Sequence, residues 1–237
     1  MVKRQLFSVG HSNQSIEEFY QLLESQRIDC ILDVRSMPYS KYTPQFNEEA
    51  LKSWLKKQGV FYVPFGKHFG ARRSDCLKET TFIKKGGLKE TKPQVNFELG
   101  VTTPDFLSGV ERLNKALDQN RRVSLMCSEA DPLGCHRFSF ISRFFYDLGW
   151  DVQHIMRDEE TGEPLVRSHQ ALEKAMILDY VKRNKLKSVG GQMADSLFTD
   201  FGDGYDEQQQ RIDAYRLKNH EIGWVPEYDN NETTEEY

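Results

Sequence analysis

Residues 123–149, VSLMCSEADPLGCHRFSFISRFFYDLG, read as a strand, a polar loop and a helix in one run. Residues 123–126 are a short, continuous apolar segment of the kind a parallel sheet buries on both faces. Residues 135–148 carry apolar side chains at helical spacing and stop at Gly149. The same alternation continues on both sides. Residues 5–9 are an apolar run ending in Gly10-His11-Ser12. Ser15 and Glu18 then form a capping-box pattern ahead of Ile16, Phe19, Leu22 and Leu23, which predicts a helix to about Arg27. Residues 30–34 predict a second strand, Asn47 opens a helix carrying Leu51, Trp54 and Leu55, and residues 60–64 predict a third strand. Thr103-Pro104 is an N-cap with a first-turn proline, followed by a stripe of Leu107, Val110, Leu113 and Leu117. Residues 151–156 predict a fifth strand, residues 161–164 a turn and residues 168–181 a helix.

Strands that alternate with amphipathic helices predict an α/β fold, doubly wound around a mostly parallel sheet, because each parallel crossover needs a helix to return the chain. The expected organisation is a Rossmann-like α/β domain over residues 1–180 and an acidic C-terminal extension over 181–237, packed loosely or moving. Residues 66–103 interrupt the pattern as a basic insertion or lid, and a stretch this long is expected to hold short helical pieces.

The 237 residues carry a net charge of −4, which conceals a split. Residues 195–237 hold twelve acidic and three basic side chains, a balance of −9, so the remainder carries +5. Residues 66–93 alone have eight Lys/Arg against three Asp/Glu. The acidic tail could compete for that basic surface or act only as a solubilising tail. No apolar run approaches the ~20 residues needed to span a bilayer, and the first residues lack a signal-peptide apolar core. Four cysteines are too sparse for a disulfide framework. The expectation is a cytoplasmic chain with reduced thiols and no membrane partner.

In doubly wound sheets, ligands bind beyond the carboxyl ends of the strands. Those ends here carry His11; Asp33, Arg35, Tyr39 and Lys41; Arg72 and Arg73; and Cys127, Glu129, Cys135, His136 and Arg137. Cys127 ends a strand and Cys135-His136-Arg137 stands where a helix begins, so helix-end amides and nearby cations can lower a thiol pKa. Cys127 is then a candidate nucleophile, with Glu129, His136 and His11 moving protons. A strand-end cysteine can equally be a packing residue. Asp33 and Arg35 point to one face, where the carboxylate orients a base and the arginine forks onto an anion, or the two form a buried ion pair with each other or with Arg137. Gly10 would let the backbone beside His11 approach a ligand closely. Tyr39, Lys41, Tyr42, Arg72 and Arg73 interleave rings with cations, as single-stranded nucleic-acid surfaces do, although rings such as Tyr62 and Phe65 fit a core as well. A metal site using Cys127, Cys135, His136 and His11 is a lesser alternative with no ligands assigned, because seven residues between the cysteines depart from metal-ligand spacing and adjacent Cys135-His136 would crowd a tetrahedral ion. The strand–Cys–loop–helix order suggests sulfurtransferase or phosphatase chemistry, but the next arginine after Cys127 is Arg137, too far along for that loop.

GHSN at 10–13, LDVRSMPYSKYTPQF at 32–46, FGARR at 69–73 and above all LMCSEADPLGCHR at 125–137 resemble the domain of unknown function 488 family. The resemblance covers roughly residues 5 to 175, including His154, Gly162 and His169. It implies a compact cytoplasmic α/β domain and supplies no reaction. Two expectations therefore stand. One is an enzyme acting on an anionic, phosphate-containing substrate, a small molecule or nucleic acid, with Cys127, Glu129, His136, His11 and Asp33 catalytic. Arg35, Tyr39, Lys41, Arg72, Arg73 and Arg137 would bind that substrate. The other is a non-catalytic nucleotide or nucleic-acid binding module in which Cys127 only packs. Cofactor and oligomeric state are not legible.

Overall fold

The computed structural model describes residues 3–84, 87–189 and 205–226. The first strand, β1 (Gln5–Gly10), leads to α1 (Ile16–Ser25), β2 (Cys30–Asp33), a 3₁₀ turn (Pro44–Phe46), α2 (Glu48–Lys57) and β3 (Phe61–Pro64). A short α3 (Gly66–Phe69) opens the insertion, which continues as a hairpin of β4 (Leu77–Ile83) and β5 (Lys89–Val95) and a short α4 (Phe97–Gly100). Then come α5 (Pro104–Asp118), β6 (Val123–Cys127), a 3₁₀ turn (Pro132–Gly134) and a π-helical turn (Arg137–Ser142) that runs into α6 (Arg143–Asp147). The chain closes with β7 (Asp151–Arg157), β8 (Pro164–Ser168), α7 (His169–Lys182) and α8 (Glu207–Ile222).

The main sheet has the order β3-β2-β6-β1-β7-β8, parallel except for β8, which pairs antiparallel with β7. Alternate residues of its strands feed two cores. Phe7, Val9, Ile31 and Met126 pack beneath α1 and α2 with Phe19, Leu22 and Leu51. Leu6, Leu32, Leu125 and Cys127 pack on the other face with Phe106, Leu113, Phe140 and Phe145. Helices thus cover both faces, as a doubly wound sheet requires. No described helix is long and apolar enough to cross a membrane.

The start of α1 depends on its cap. Ser15 accepts from the Glu18 amide while the Glu18 carboxylate accepts from the Ser15 amide, so two orphan donors are satisfied reciprocally. Ser15→Ala is expected to lower the unfolding free energy by about 1 kcal/mol, read from the urea midpoint at unchanged slope.

Four elements depart from the sequence expectation. The basic insertion is not a set of helical pieces alone, because β4 and β5 form a seven-residue antiparallel hairpin. Residues 164–168, which connect the expected turn to the expected helix, add a strand, β8, to the sheet edge. The buried side of α5 is Phe106, Gly109 and Leu113, while Leu107 is 46% exposed. The phase shifts because Gly109 lies against His68 and Phe69, where a Cβ would come within 2.6 Å of the His68 side chain. In the C-terminal extension, residues 207–222 form α8, which packs on α7 through buried Ala214 and Tyr215. The rest of the proposed acidic tail, residues 190–204 and 227–237, lies outside the described residues.

Candidate functional site

β1 pairs with β6 in a register that sets Gly10 beside Cys127, and β2 pairs with β6 to set Asp33 beside Met126. The carboxyl ends of three neighbouring strands therefore deliver His11, Asp33 and Cys127 to one edge of the sheet. Side chains alternate along each strand, so they do not enter one hollow. Asp33 continues the face of Ile31 and His11 that of Val9, whereas Cys127 continues the face of Leu125. The single pocket expected from the sequence resolves into two clusters, one on each face.

On the α1–α2 face, Arg35 forks onto Asp33, with Nε donating to Oδ1 at 2.8 Å and Nη2 to Oδ2 at 2.5 Å. Nη2 also donates to the Phe46 carbonyl at 2.9 Å, and Nη1 lies 3.1 Å from His11 Nε2. The Tyr62 hydroxyl donates to Asp33 Oδ2 at 2.6 Å. Four of the five guanidinium hydrogens thus have acceptors within the protein, which makes Arg35 chiefly a structural cation. His11 Nδ1 donates to the Ser12 carbonyl at 2.7 Å, so Nε2 is the unprotonated acceptor facing Arg35. Burial and the Arg35 charge push the His11 pKa down to about 4, and the ring stacks on Phe46 as a neutral imidazole. Burial, then Asp33, push the Tyr62 phenol up.

On the opposite face, Cys127 Sγ donates to Glu129 Oε2 at 3.1 Å and lies 3.9 Å from His136 Nδ1. Cys135 Sγ is 3.7 Å from the same nitrogen. His136 Nε2 donates to the Val34 carbonyl at 3.3 Å, which turns Nδ1 toward the two sulfurs. Val34 lies between Asp33 and Arg35, so this bond ties the two clusters together through the end of β2. The neighbouring Cys135 and burial push the Cys127 thiol up. Burial would also raise Cys135, but Cys127, Arg137 and His136 outweigh it and hold Cys135 well below a free thiol. Burial and the Cys135 charge raise the Glu129 carboxyl. Of the two thiols, Cys135 is the one held low, whereas the sequence singled out Cys127.

Arg137 is 1% exposed. Its Nη1 donates to the Glu129 carbonyl at 2.7 Å and Nη2 to the Ala130 carbonyl at 2.9 Å, clamping the loop that follows β6. Its Nε has no acceptor, and no carboxylate pairs with it among the described residues. The side of the cluster toward solvent is that loop, where Ser128, Glu129, Ala130 and Asp131 are exposed.

The remaining expected residues lie apart from the sulfurs. Arg73 is held by Asp75, Thr103 Oγ1 and the His68 carbonyl and is buried in those contacts. Arg72 is exposed, with Nη1 against Met37 Sδ. The loop after β2 presents Tyr39, Lys41 and Tyr42 to solvent, Tyr42 at 96% exposure. The cations of the hairpin are partly neutralised, since Lys84 and Lys92 both pair with Glu90. What Gly10 admits is the chain's own backbone at Glu129, with no room left for a ligand there.

A buried chain of hydrogen bonds went unread in the sequence. The Ser8 hydroxyl lies 2.7 Å from His154 Nδ1, His154 Nε2 3.1 Å from His169 Nδ1, and His169 Nε2 2.8 Å from the Tyr215 hydroxyl, which donates to Glu173 Oε2 at 2.7 Å. Because the carboxylate only accepts, each bond in the chain must point toward Glu173, with both imidazoles neutral. Burial lowers the His154 pKa well below its ordinary value and His169 to about 3. The helical positions of His169, Glu173 and Tyr215 carried no sequence sign that they would meet.

Fold and site together define a doubly wound α/β domain with a thiol–imidazole centre at the carboxyl edge of its sheet. The chain belongs to the family described as Domain of unknown function DUF488, whose model matches residues 15–143. That span holds Asp33, Arg35, Cys127, Glu129, Cys135, His136 and Arg137, but is shorter than the resemblance suggested and leaves out His11, His154 and His169. No curated protein and no solved structure matches the chain.

Proposed function

We propose that the protein is an enzyme acting on a small anionic, phosphate-containing substrate at the carboxyl edge of the sheet. The cluster of Cys127, Glu129, Cys135 and His136 is its reacting group, and Arg137 receives the substrate's charge. The observation that carries this reading is the buried Arg137 guanidinium, held by two carbonyls and, among the described residues, by no carboxylate, with no acceptor at Nε. Burying a guanidinium with no carboxylate partner and an unpaired N–H is costly, and an entering anion would offset that cost. Glu129, in contact with both Cys127 and solvent, is placed to carry protons between them.

Calorimetric titration with inorganic phosphate tests the reading. The wild type is expected to bind, and Arg137→Met to weaken binding by about tenfold or more, the loss of a charge-assisted hydrogen bond. Arg137→Lys, which keeps the charge, is expected to fall between them. An unchanged Kd in both variants overturns the assignment.

The second reading, a non-catalytic nucleotide or nucleic-acid binding module, draws on the exposed rings of Tyr39 and Tyr42 beside Lys41 and Arg72. It requires single-stranded oligonucleotide binding that weakens with salt, with a slope that flattens by about one unit per phosphate contact removed in Lys41→Ala and Arg72→Ala. Such binding would also survive Cys127→Ala.

A further inference from the structure

We infer that Cys127, Cys135 and His136 bind a zinc ion through Sγ, Sγ and Nδ1, with the fourth coordination position open beside Glu129. This goes beyond the proposed function, because it concerns what the sulfurs hold rather than what the arginine binds.

Geometry is the first support. The three donor atoms lie within 4.8 Å of one another, and the two sulfur–nitrogen separations are 3.9 and 3.7 Å. A tetrahedral ion with zinc–sulfur bonds of about 2.3 Å and zinc–nitrogen bonds of about 2.0 Å sets its sulfur and nitrogen ligands about 3.6 Å apart. The protein already holds both sulfurs within a few tenths of an ångström of that spacing from the nitrogen.

The backbone explains why the sequence argued otherwise. The Pro132–Gly134 turn folds the seven intervening residues back, and Arg137 pins the loop by the Glu129 and Ala130 carbonyls. Adjacent Cys135 and His136 converge because the chain bends between them, extended at Cys135 (φ −130, ψ 143) and helical at His136 (φ −59, ψ −25). His136 is prepared as a ligand in the usual way, with Nε2–H donated to a backbone carbonyl and the Nδ1 lone pair turned inward.

The donor set decides the metal. Two sulfurs and an imidazole suit zinc and exclude magnesium and calcium, which take oxygen ligands. Three protein ligands leave one position, the arrangement of catalytic rather than closed structural zinc. Glu129 Oε2, 3.1 Å from Cys127 Sγ, stands next to that position, where it can accept a proton from a metal-bound water. Both sulfurs bind as thiolates, so metal entry releases protons and the centre carries no net charge. Arg137 still lacks a carboxylate partner among the described residues, and the place for an anionic substrate is unchanged.

The test uses the full chain, expressed with added zinc and purified under reducing conditions without chelator. Elemental analysis is expected to give stoichiometric zinc. Exchange for Co²⁺ is expected to give the near-ultraviolet sulfur-to-cobalt band and the visible bands of a tetrahedral ion. His136→Phe and Cys135→Ser are expected to lose the metal, whereas Cys76→Ser keeps it. His136→Cys restores a three-donor set and is expected to retain cobalt with a stronger sulfur band, which separates ligand loss from misfolding. Wild-type protein with neither zinc nor a cobalt spectrum, or with a Cys127–Cys135 disulfide persisting in reductant, overturns the inference. So does undiminished metal in His136→Phe. Protein that takes up no zinc yet binds phosphate would overturn the metal centre and uphold the proposed function; zinc without phosphate binding would do the reverse.

Discussion

Gly10→Ala is expected to cost on the order of 4 kcal/mol and to open the loop that carries Glu129. A Cβ at Gly10 would stand 1.8 Å from the Glu129 carbonyl oxygen and 2.7 Å from its carbon. Both are backbone atoms, so no rotamer change relieves the clash. The carbonyl is also the acceptor for Arg137 Nη1, and the adjacent amides of His11 and Ser12 donate to Cys127 and Ser128 at 3.0 and 2.8 Å. Displacing it adds the strain of overpacking, about 1–3 kcal/mol, to the loss of a hydrogen bond from a buried cation, about 1.5–3 kcal/mol. Against a typical total of about 5–15 kcal/mol, that is a large fraction. Gly134, with nothing within 4 Å of an added Cβ, supplies the control. Urea unfolding is expected to show a large drop in midpoint for Gly10→Ala and little change for Gly134→Ala. Equal midpoints would mean that the approach of β1 to the loop is looser than the structure has it.

The reason this contact was not legible in advance extends to the rest of the molecule. Elements whose residues report their own burial could be read: the capping box of α1 and the apolar runs of β1, β2 and β6 all form where the pattern put them. The β4–β5 hairpin gave no such sign, because its Lys, Glu and Thr side chains are largely exposed and its pairing is backbone to backbone. Nor did α8, whose hold on α7 runs through Tyr215 and Ala214 rather than an apolar stripe. For the site, the alternation rule brought Asp33 and Arg35 together, and they are indeed an ion pair. Placing His11 and Cys127 on opposite faces needed the register between strands, a non-local quantity. The partners that finish each cluster, Tyr62 on Asp33 and Val34 on His136, come from 29 and 102 residues away. Chain spacing, which argued against Cys127, Cys135 and His136 acting together, is a poor guide once a turn folds the intervening loop back.

Three of the buried histidines, His11, His154 and His169, set the acid limit of the fold. His11 and His169 are neutral in the native state, with pKa values lowered to about 4 and about 3 from 6.5, and His154 is lowered in the same direction. An unfolded chain takes up a proton at each as the pH drops below about 6.5, while the native chain refuses it. The unfolded state therefore binds more protons across this window. The stabilising contribution is complete above about 6.5 and drains as the pH falls toward 4. At pH 5 linkage gives a loss of about 2 kcal/mol for each of His11 and His169, and His154 adds to it with the same sign. The structural consequence is specific. A proton on His11 Nε2 would face the Arg35 guanidinium 3.1 Å away; a proton on His154 Nδ1 would reverse the bond to Ser8, and one on His169 Nδ1 would set two donors against each other at His154 Nε2. That chain is what docks Tyr215, so α8 is expected to loosen along with global stability. Urea unfolding at pH 7.5 and pH 5, with hydrogen exchange over residues 207–222, reads both effects. His169→Gln should flatten the pH dependence by about one histidine's share, whatever it costs at neutral pH. Equal unfolding free energies at the two pH values would show that these imidazoles accept protons in the native state, and would remove the directed hydrogen-bond chain with them.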